Sequence, residues 1–264
     1  MKILFWNTNK NGNINQHVAQ LVKENDIDIF VAAEYEADKD ELTNMFKVND
    51  QHLVSCNTLG CDRISIWSNY INVKPVIQSK YYSIQIIQDK FILCSVHLIT
   101  NLHGDMSEER LAITQQLMHD IKETENTIHS QKTIIIGDFN EIPYGKSCLN
   151  ANGLHGLPAF NVEDRPTRVV NDKEYTKYYN PMWSLLGDFS YPPGTYYLNQ
   201  SKLNSPMWYM LDQVIISRDI LPLFEKDKLR IITSYGCMDL ADRNKHPNRS
   251  ISDHFPIMCV INDK

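Results

Sequence analysis

The sequence predicts an α/β fold in which two β-sheets pack together between flanking helices. Three observations predict it. Apolar runs of strand length recur from one end of the chain to the other, two stretches carry helical periodicity, and one long stretch rich in proline and tyrosine carries neither pattern.

Taken in order, the strand-like runs are Lys2–Trp6, Ile27–Ala32, Ile64–Trp67, Tyr82–Ile87, Phe91–Val96, Thr133–Ile136, Met210–Ile216, Leu229–Ile232 and Ile257–Ile261. The run Ile134-Ile135-Ile136 is continuous and β-branched, which is what a strand covered on both faces needs. Gly137 follows it, read as the turn that frees the polar side chains of Asp138 and Asn140. Helical periodicity is clearest in Ile14–Glu24, where Val18, Leu21 and Val22 share a face, and in Glu108–Glu123, where Leu111, Ile113, Leu117, Met118 and Ile121 do. Strands thus alternate with helices, with hairpin-like pairs between. From Glu141 to Ser205 the periodic apolar runs give way to Pro143, Pro158, Pro166, Pro181, Pro192, Pro193 and many tyrosines, a pattern of long loops over a rigid scaffold.

At 264 residues the chain can bury a sizeable core, and residues 1–264 read as a single domain. With 42% hydrophobic and 22% charged residues, its composition is that of an ordinary globular protein. The apolar start Met1–Trp6 meets a polar run at Asn7 too early for a signal-peptide core, and no stretch is apolar for long enough to span a membrane, so a cytoplasmic location is expected. The six cysteines, Cys56, Cys61, Cys94, Cys148, Cys237 and Cys259, form no CxxC pair, which argues against zinc. Cys94 and Cys259 lie inside strand-like runs and read as small core residues. A net charge of -6 argues against a broad basic footprint for long nucleic acid, yet a carboxylate-lined metal site would reverse the field locally.

Several apolar runs end in residue types that bind a hard divalent cation or handle phosphate: Asn7, Glu34, His97, Asp138 with Asn140, Asp212, and Asp253-His254. Singly, each has an ordinary structural reading. Asn7 can cap a turn, Glu34 can be a solvated strand end, His97 a satisfied core histidine, Asp212 a structural acceptor, and Asp138 with Asn140 a turn. Their joint occurrence at strand ends points to a catalytic edge.

Four segments carry a resemblance: Trp6-Asn7, Ile136-Gly137-Asp138-Phe139-Asn140, Leu211-Asp212-Gln213-Val214-Ile215-Ile216-Ser217 and Ser252-Asp253-His254-Phe255-Pro256-Ile257. In their order along the chain they resemble the endonuclease/exonuclease/phosphatase (deoxyribonuclease I-like) superfamily. That resemblance implies a four-layer α/β sandwich of two packed mixed β-sheets flanked by helices, and phosphoester cleavage that depends on Mg²⁺ or Mn²⁺. By similarity Glu34 is the main metal ligand, helped by Asn7 and Asp253. Asp138 positions or deprotonates the attacking water, Asn140 orients it, and His254 touches the scissile phosphate with Asp212 as its hydrogen-bond acceptor. His97 matches the second histidine of the deoxyribonuclease and sphingomyelinase branches, where abasic-site endonucleases have tyrosine. The sequence departs from the pattern in two places. Ala33 stands before Glu34 where glutamine is common, and Cys61-Asp62-Arg63 leaves open whether Asp62 serves His97 or makes a surface salt bridge.

Arg243, Lys245 and Arg249 lie just upstream of Asp253-His254, and Trp183 and Tyr196 belong to aromatic loop segments, so all five are candidate substrate contacts; a solvated loop and core packing are the alternatives. The leading expectation is a nuclease acting on DNA or RNA, with no membrane partner. A phosphatase or phosphodiesterase acting on nucleotides, inositol phosphates or phospholipid head groups comes second, and a catalytically silent interaction module third.

Overall fold

The computed structural model describes residues 1–101, 104–159, 161, 165–189, 191–200, 203 and 205–263, so part of the proline-rich stretch lies outside it. The chain runs β1 (Lys2–Asn7), α1 (Asn15–Asn25), β2 (Ile29–Ala33), α2 (Lys39–Val48), β3 (Val54–Ser55), β4 (Ile64–Ser68), β5 (Val73–Gln78), β6 (Tyr82–Ile87), β7 (Phe91–His97), α3 (Ser107–Ile128) and β8 (Thr133–Asp138). It continues through β9 (Gly156–Leu157), β10 (Tyr178–Tyr179), β11 (Asp212–Ile216), β12 (Arg230–Ile231) and β13 (Ile257–Val260), with short hairpins outside the two main sheets. One sheet has six strands in the order β12-β13-β1-β2-β4-β3, and the other has seven in the order β5-β6-β7-β8-β11-β10-β9.

Alternation along the strands explains the layering. Ile3, Phe5, Ile29 and Val31 of the six-stranded sheet meet Leu93, Ile134, Ile136, Val214 and Ile216 of the seven-stranded sheet in one core between them. The intervening residues point the other way. Leu4, Trp6, Phe30 and Ala32 pack under Val18, Leu21 and Val22 of α1 and Leu42 and Phe46 of α2. Ile92, Cys94, Val96, Ile135 and Ile215 pack under Leu117 and Ile121 of α3. Each central strand is therefore buried on both faces, which is why it reads as an unbroken apolar run. The result is a four-layer α/β sandwich.

Besides the two-residue strands β3, β9 and β10, helix α2 and strand β5 escape the sequence reading. Helix α2 buries only Leu42 and Phe46, one turn apart, too narrow a stripe to register as a period; Asp38 caps it by accepting from the N–H groups of Asp40 and Glu41. Strand β5 is an exposed edge carrying Pro75, with its register shifted between Pro75 and Ile77. Four expected runs are trimmed: β2 starts at Ile29, β11 at Asp212, only Arg230–Ile231 pair within the Leu229–Ile232 run, and β13 ends at Val260.

Gly137 needs a different explanation from the expected turn. It lies within β8, paired with Val96 on one side and Gln213 on the other. A Cβ there would sit 2.0 Å from the Val96 carbonyl oxygen, so glycine is required by the close approach of β7.

Candidate active site

Strand register builds the first half of the site. His97 pairs with Asp138 across parallel β7 and β8, and Asp138 pairs with Asp212 across antiparallel β8 and β11. Three polar residues thus form one row across three neighbouring strands, at one end of the seven-stranded sheet. The facing sheet supplies the second half: Asn7 ends β1, opposite Ala33 of β2, and Glu34 follows at once. Glu34 is held in a left-handed conformation at φ 49°. Its carbonyl accepts from the Thr8 hydroxyl at 2.8 Å and from the Lys10 N–H at 2.9 Å.

One hydrogen bond joins the halves. The Asn7 amide donates to Asp138 Oδ2 at 2.9 Å, while the Asn7 Oδ1 accepts from the Asn9 N–H. Asp138 Oδ1 also accepts the backbone N–H of Asn140 at 2.8 Å, and the Asn140 side chain, at φ 49°, donates to Leu98 O at 3.0 Å. Burial, reinforced by the Asp212 carboxylate, raises the pKa of Asp138 above the usual carboxylate range, against the opposing pull of His254 and of the Asn140 and Asn7 donors.

His254 is fixed from four sides. Its Nδ1 donates to Asp212 Oδ2 at 2.8 Å, its backbone N–H reaches Ser252 Oγ, its carbonyl accepts from Trp6 Nε1 at 2.9 Å, and the Tyr196 ring lies 4.8 Å away. Ser252 in turn donates to Asn7 O at 2.7 Å, locking the histidine loop to the end of β1. Burial alone would lower its pKa, but the carboxylates of Asp212, Asp138 and Asp253 override burial and lift it to about 10. His97 goes the opposite way, to about 3, because burial and then the positive charges of Arg63, His254 and Lys10 disfavour its cation. Its Nε2 lies 3.4 Å from Glu34 and 3.7 Å from Asp138, contacts of a neutral ring and not ion pairs. His97 Nδ1 is buried without a hydrogen-bond partner, so Asp62 does not pair with it.

Asn7, Glu34, Asp138, Asn140, Asp253 and His254 all line one cleft of about 630 Å³. Glu34, Asn7 and Asp253 offer the oxygen donors that suit a hard divalent cation. Asp138, Asp212 and His254 also bring ligand-type atoms within 4.8 Å of one another, but the surrounding carboxylates keep the His254 ring protonated, and a protonated imidazole has no lone pair to give a metal.

Solved structures match this fold over nearly the whole chain. A 3′-5′ exonuclease, NExo, from Neisseria meningitidis aligns with a TM-score of 0.60 at 14% identity, covering 99% of this chain and 100% of that one. An AP endonuclease from Archaeoglobus fulgidus gives 0.60 at 13% identity, with 99% of both chains covered. D. rerio TDP2, complexed with single-strand DNA product, gives 0.59 at 16% identity over 99% of this chain and 98% of that one. The chain has the endonuclease/exonuclease/phosphatase fold. No protein-family model matches the sequence, and no curated protein matches it either.

Of the expected substrate contacts, the endonuclease/exonuclease/phosphatase fold places Tyr196 in the cleft, against His254. Trp183 packs 5.7 Å from Tyr144 and does not line the cleft. Arg243 and Lys245 are exposed outside it, whereas Arg249 lines a neighbouring cavity.

Sequence reasoning passed over Arg110 on α3. Its guanidinium is 1% exposed, donating to Ile99 O at 3.1 Å and to Asn101 Oδ1 at 2.7 Å, and lying 3.3 Å from Glu141 Oε1. It thereby ties the loop after His97 to the loop after Asn140, and Asn101 and Glu141 both line the cleft. The signal was present in the sequence: Arg110 continues the buried Thr114, Leu117 and Ile121 stripe, where a charge has to be paired. Tyr209, also a cleft residue, lies just before the Met210–Ile216 run with no pattern to single it out, and Leu211, inside that run, lines the cleft as well.

Proposed function

We propose that the chain, acting as one domain, is a divalent-metal-dependent phosphodiesterase, a nuclease that hydrolyses DNA or RNA by in-line attack of an activated water. One observation carries the reading: Asp138, the middle of the buried row His97, Asp138 and Asp212, lines a single cleft with Asn7, Glu34 and His254, and a cationic His254 is seated on Asp212. Phosphodiester hydrolysis needs a water-activating carboxylate, a positive group for charge building on the phosphoryl oxygens, and support for the leaving oxygen.

Glu34, with Asn7 and Asp253, would hold Mg²⁺ or Mn²⁺, which would supply Lewis-acid stabilisation of phosphoryl and leaving oxygens. Asp138, whose pKa is raised, accepts the proton of the attacking water. The Asn140 backbone and the Asn7 amide hold that carboxylate in place. His254 stays cationic at neutral pH and donates from Nε2 to the phosphate, while Asp212 fixes its tautomer through Nδ1. His97, neutral, offers a donor between Glu34 and Asp138 without adding charge.

No lysine or arginine lines the cleft among the described residues, which favours a singly charged phosphodiester over an inositol polyphosphate. No helix among them is long and apolar enough to cross a membrane. The deciding experiment incubates the protein with Mg²⁺ or Mn²⁺ and plasmid, single-stranded DNA, RNA, nucleotides and inositol phosphates, beside Glu34→Ala and His254→Ala. Cleavage of DNA or RNA that both substitutions abolish is the expected result. Hydrolysis of a small phosphate ester alone would replace this reading, and cleavage surviving both substitutions would sink the site.

A further inference from the structure

Beside the cleft lies a second cavity of about 440 Å³, and the two share Leu198 and Asp253 in their walls. Its lining includes the Tyr197 and His246 rings, which stack face to face at 3.5 Å with 5° between their planes. Trp208, the cross-strand partner of Tyr197 in a two-stranded hairpin, braces the pair edge-on, 5.2 Å from Tyr197 and 5.7 Å from His246. Trp208 itself stacks on Phe255, next to His254 in the chain.

The loop that carries His246 is built to hold it flat. Asp242 accepts from the N–H groups of Asn244 at 2.7 Å and His246 at 3.0 Å, and the Asp242 N–H donates to His246 O at 2.7 Å. The Tyr191 hydroxyl donates to Lys245 O, which ties the loop to the segment around Tyr191. Arg249 donates to Tyr197 O at 3.4 Å, a long contact that leaves most of its guanidinium donors for a ligand.

We infer that this second cavity is a nucleotide subsite, which takes an unpaired base onto the Tyr197–His246 stack and the phosphate beside it onto Arg249. The inference rests on the nuclease reading of the neighbouring cleft and deepens it. A base inside a duplex has both faces covered by its neighbours, so only a single strand or a frayed end can extend a protein ring stack. The preferred substrate class is therefore single-stranded nucleic acid or a strand end, not continuous duplex. The shared wall at Asp253 makes the subsite contiguous with the place where the scissile phosphate is handled.

The test uses the full chain with Mn²⁺ and fluorescein-labelled single-stranded oligonucleotides of two and eight nucleotides, beside the eight-nucleotide sequence embedded in a longer duplex. Circular dichroism and thermal melting first establish that His246→Ala, Tyr197→Leu and Tyr197→Phe fold. The ratio of kcat/KM for the octanucleotide over the dinucleotide falls about tenfold in His246→Ala and Tyr197→Leu, and Tyr197→Phe, which keeps the ring, keeps the ratio. Octanucleotide binding measured by fluorescence anisotropy in EDTA, without turnover, weakens in parallel. Octanucleotide cleavage with an unchanged ratio and unchanged binding in both ring-deleting variants overturns the subsite and leaves the nuclease reading standing. A wild-type protein that hydrolyses bis(p-nitrophenyl) phosphate but neither cleaves nor binds any oligonucleotide overturns both.

Discussion

Asp138 and Asp212 face each other as a register pair of antiparallel strands, two buried carboxylates in one row of a sheet. Like charges so placed repel, and the arrangement persists because His254 sits on Asp212 as a cation while Asp138 takes up hydrogen bonds from Asn7 and Asn140. Asp212→Asn tests this balance. Wild-type kcat/KM should follow a bell: it rises as Asp138 loses its proton, above the ordinary carboxylate range, and falls as His254 loses its own near pH 10. Without the Asp212 charge and hydrogen bond, only Asp138 and Asp253 still oppose burial, so the His254 pKa drops and the alkaline limb moves toward acid. A pH–rate profile of Asp212→Asn whose alkaline limb stays in place would refute the pairing as the source of the charge.

Removing either proton-handling group should cost more. Asp138→Asn and His254→Ala each lower kcat by about 10²- to 10⁴-fold, with little change in melting temperature for the first because Asn keeps the volume. Single-turnover kinetics on a labelled oligonucleotide separate this loss from slower product release.

Glu34 carries a side chain at φ 49°, where a Cβ is costly. Replacing it by glycine or by alanine removes the same carboxylate, and both variants should lose Mg²⁺- or Mn²⁺-supported hydrolysis. Glu34→Gly should nonetheless be more stable than Glu34→Ala by about 1 kcal/mol, since only alanine retains the backbone strain. Urea denaturation of the two variants reads the difference directly, and equal midpoints would contradict it.

Gly137→Ala forces a Cβ to within 2.0 Å of the Val96 carbonyl oxygen, so β7 and β8 must part. A loss of about 3 kcal/mol is expected, with hydrolysis falling further than stability accounts for, because His97 and Asp138 lie one residue along this contact. Activity measured well below the shifted melting temperature distinguishes the two effects.

Arg110→Lys keeps a positive charge but not the planar fork that reaches Ile99 O, Asn101 and Glu141 together. It should fold, with stability lower by about 1–2 kcal/mol and a raised KM from the loosened cleft walls. Arg110→Ala removes the guanidinium from Ile99 O, Asn101 and Glu141 together, although Glu141 keeps its bonds from Lys146 and Ser147, and should be worse by about a further 1–2 kcal/mol. Equal stability of wild type and Arg110→Lys by urea titration would show that the fork adds nothing.

The central strands were legible because burial on both faces demands unbroken apolar runs, and the polar ends of those runs stood out against them. Asn7, Glu34, Asp138, Asn140, Asp253 and His254 were all singled out as sequence anomalies, and all line one cleft. What stayed hidden was tertiary in origin. Helix α2 pays for only two buried side chains, β5 is a polar edge, and nothing local announces that Arg110 meets Glu141 or that Tyr209 reaches the cleft. Gly137 was noticed for a turn it does not make, because the neighbour that excludes a Cβ is far away in the chain. Trp183 was noticed for its ring, and the ring went to Tyr144.

The bond from Asn7 to Asp138 spans the seam between the two sheets. The groups proposed for the metal and for the water are thus borne on separate slabs that touch through a layer of interlocked apolar side chains. Repacking that layer, for instance at Phe5 or Ile136, would slide one slab over the other and misalign the two sets of groups while every catalytic residue stayed in the sequence. Turnover in such variants becomes a gauge of sheet-to-sheet alignment, and it should fade at denaturant concentrations where the helices are still intact.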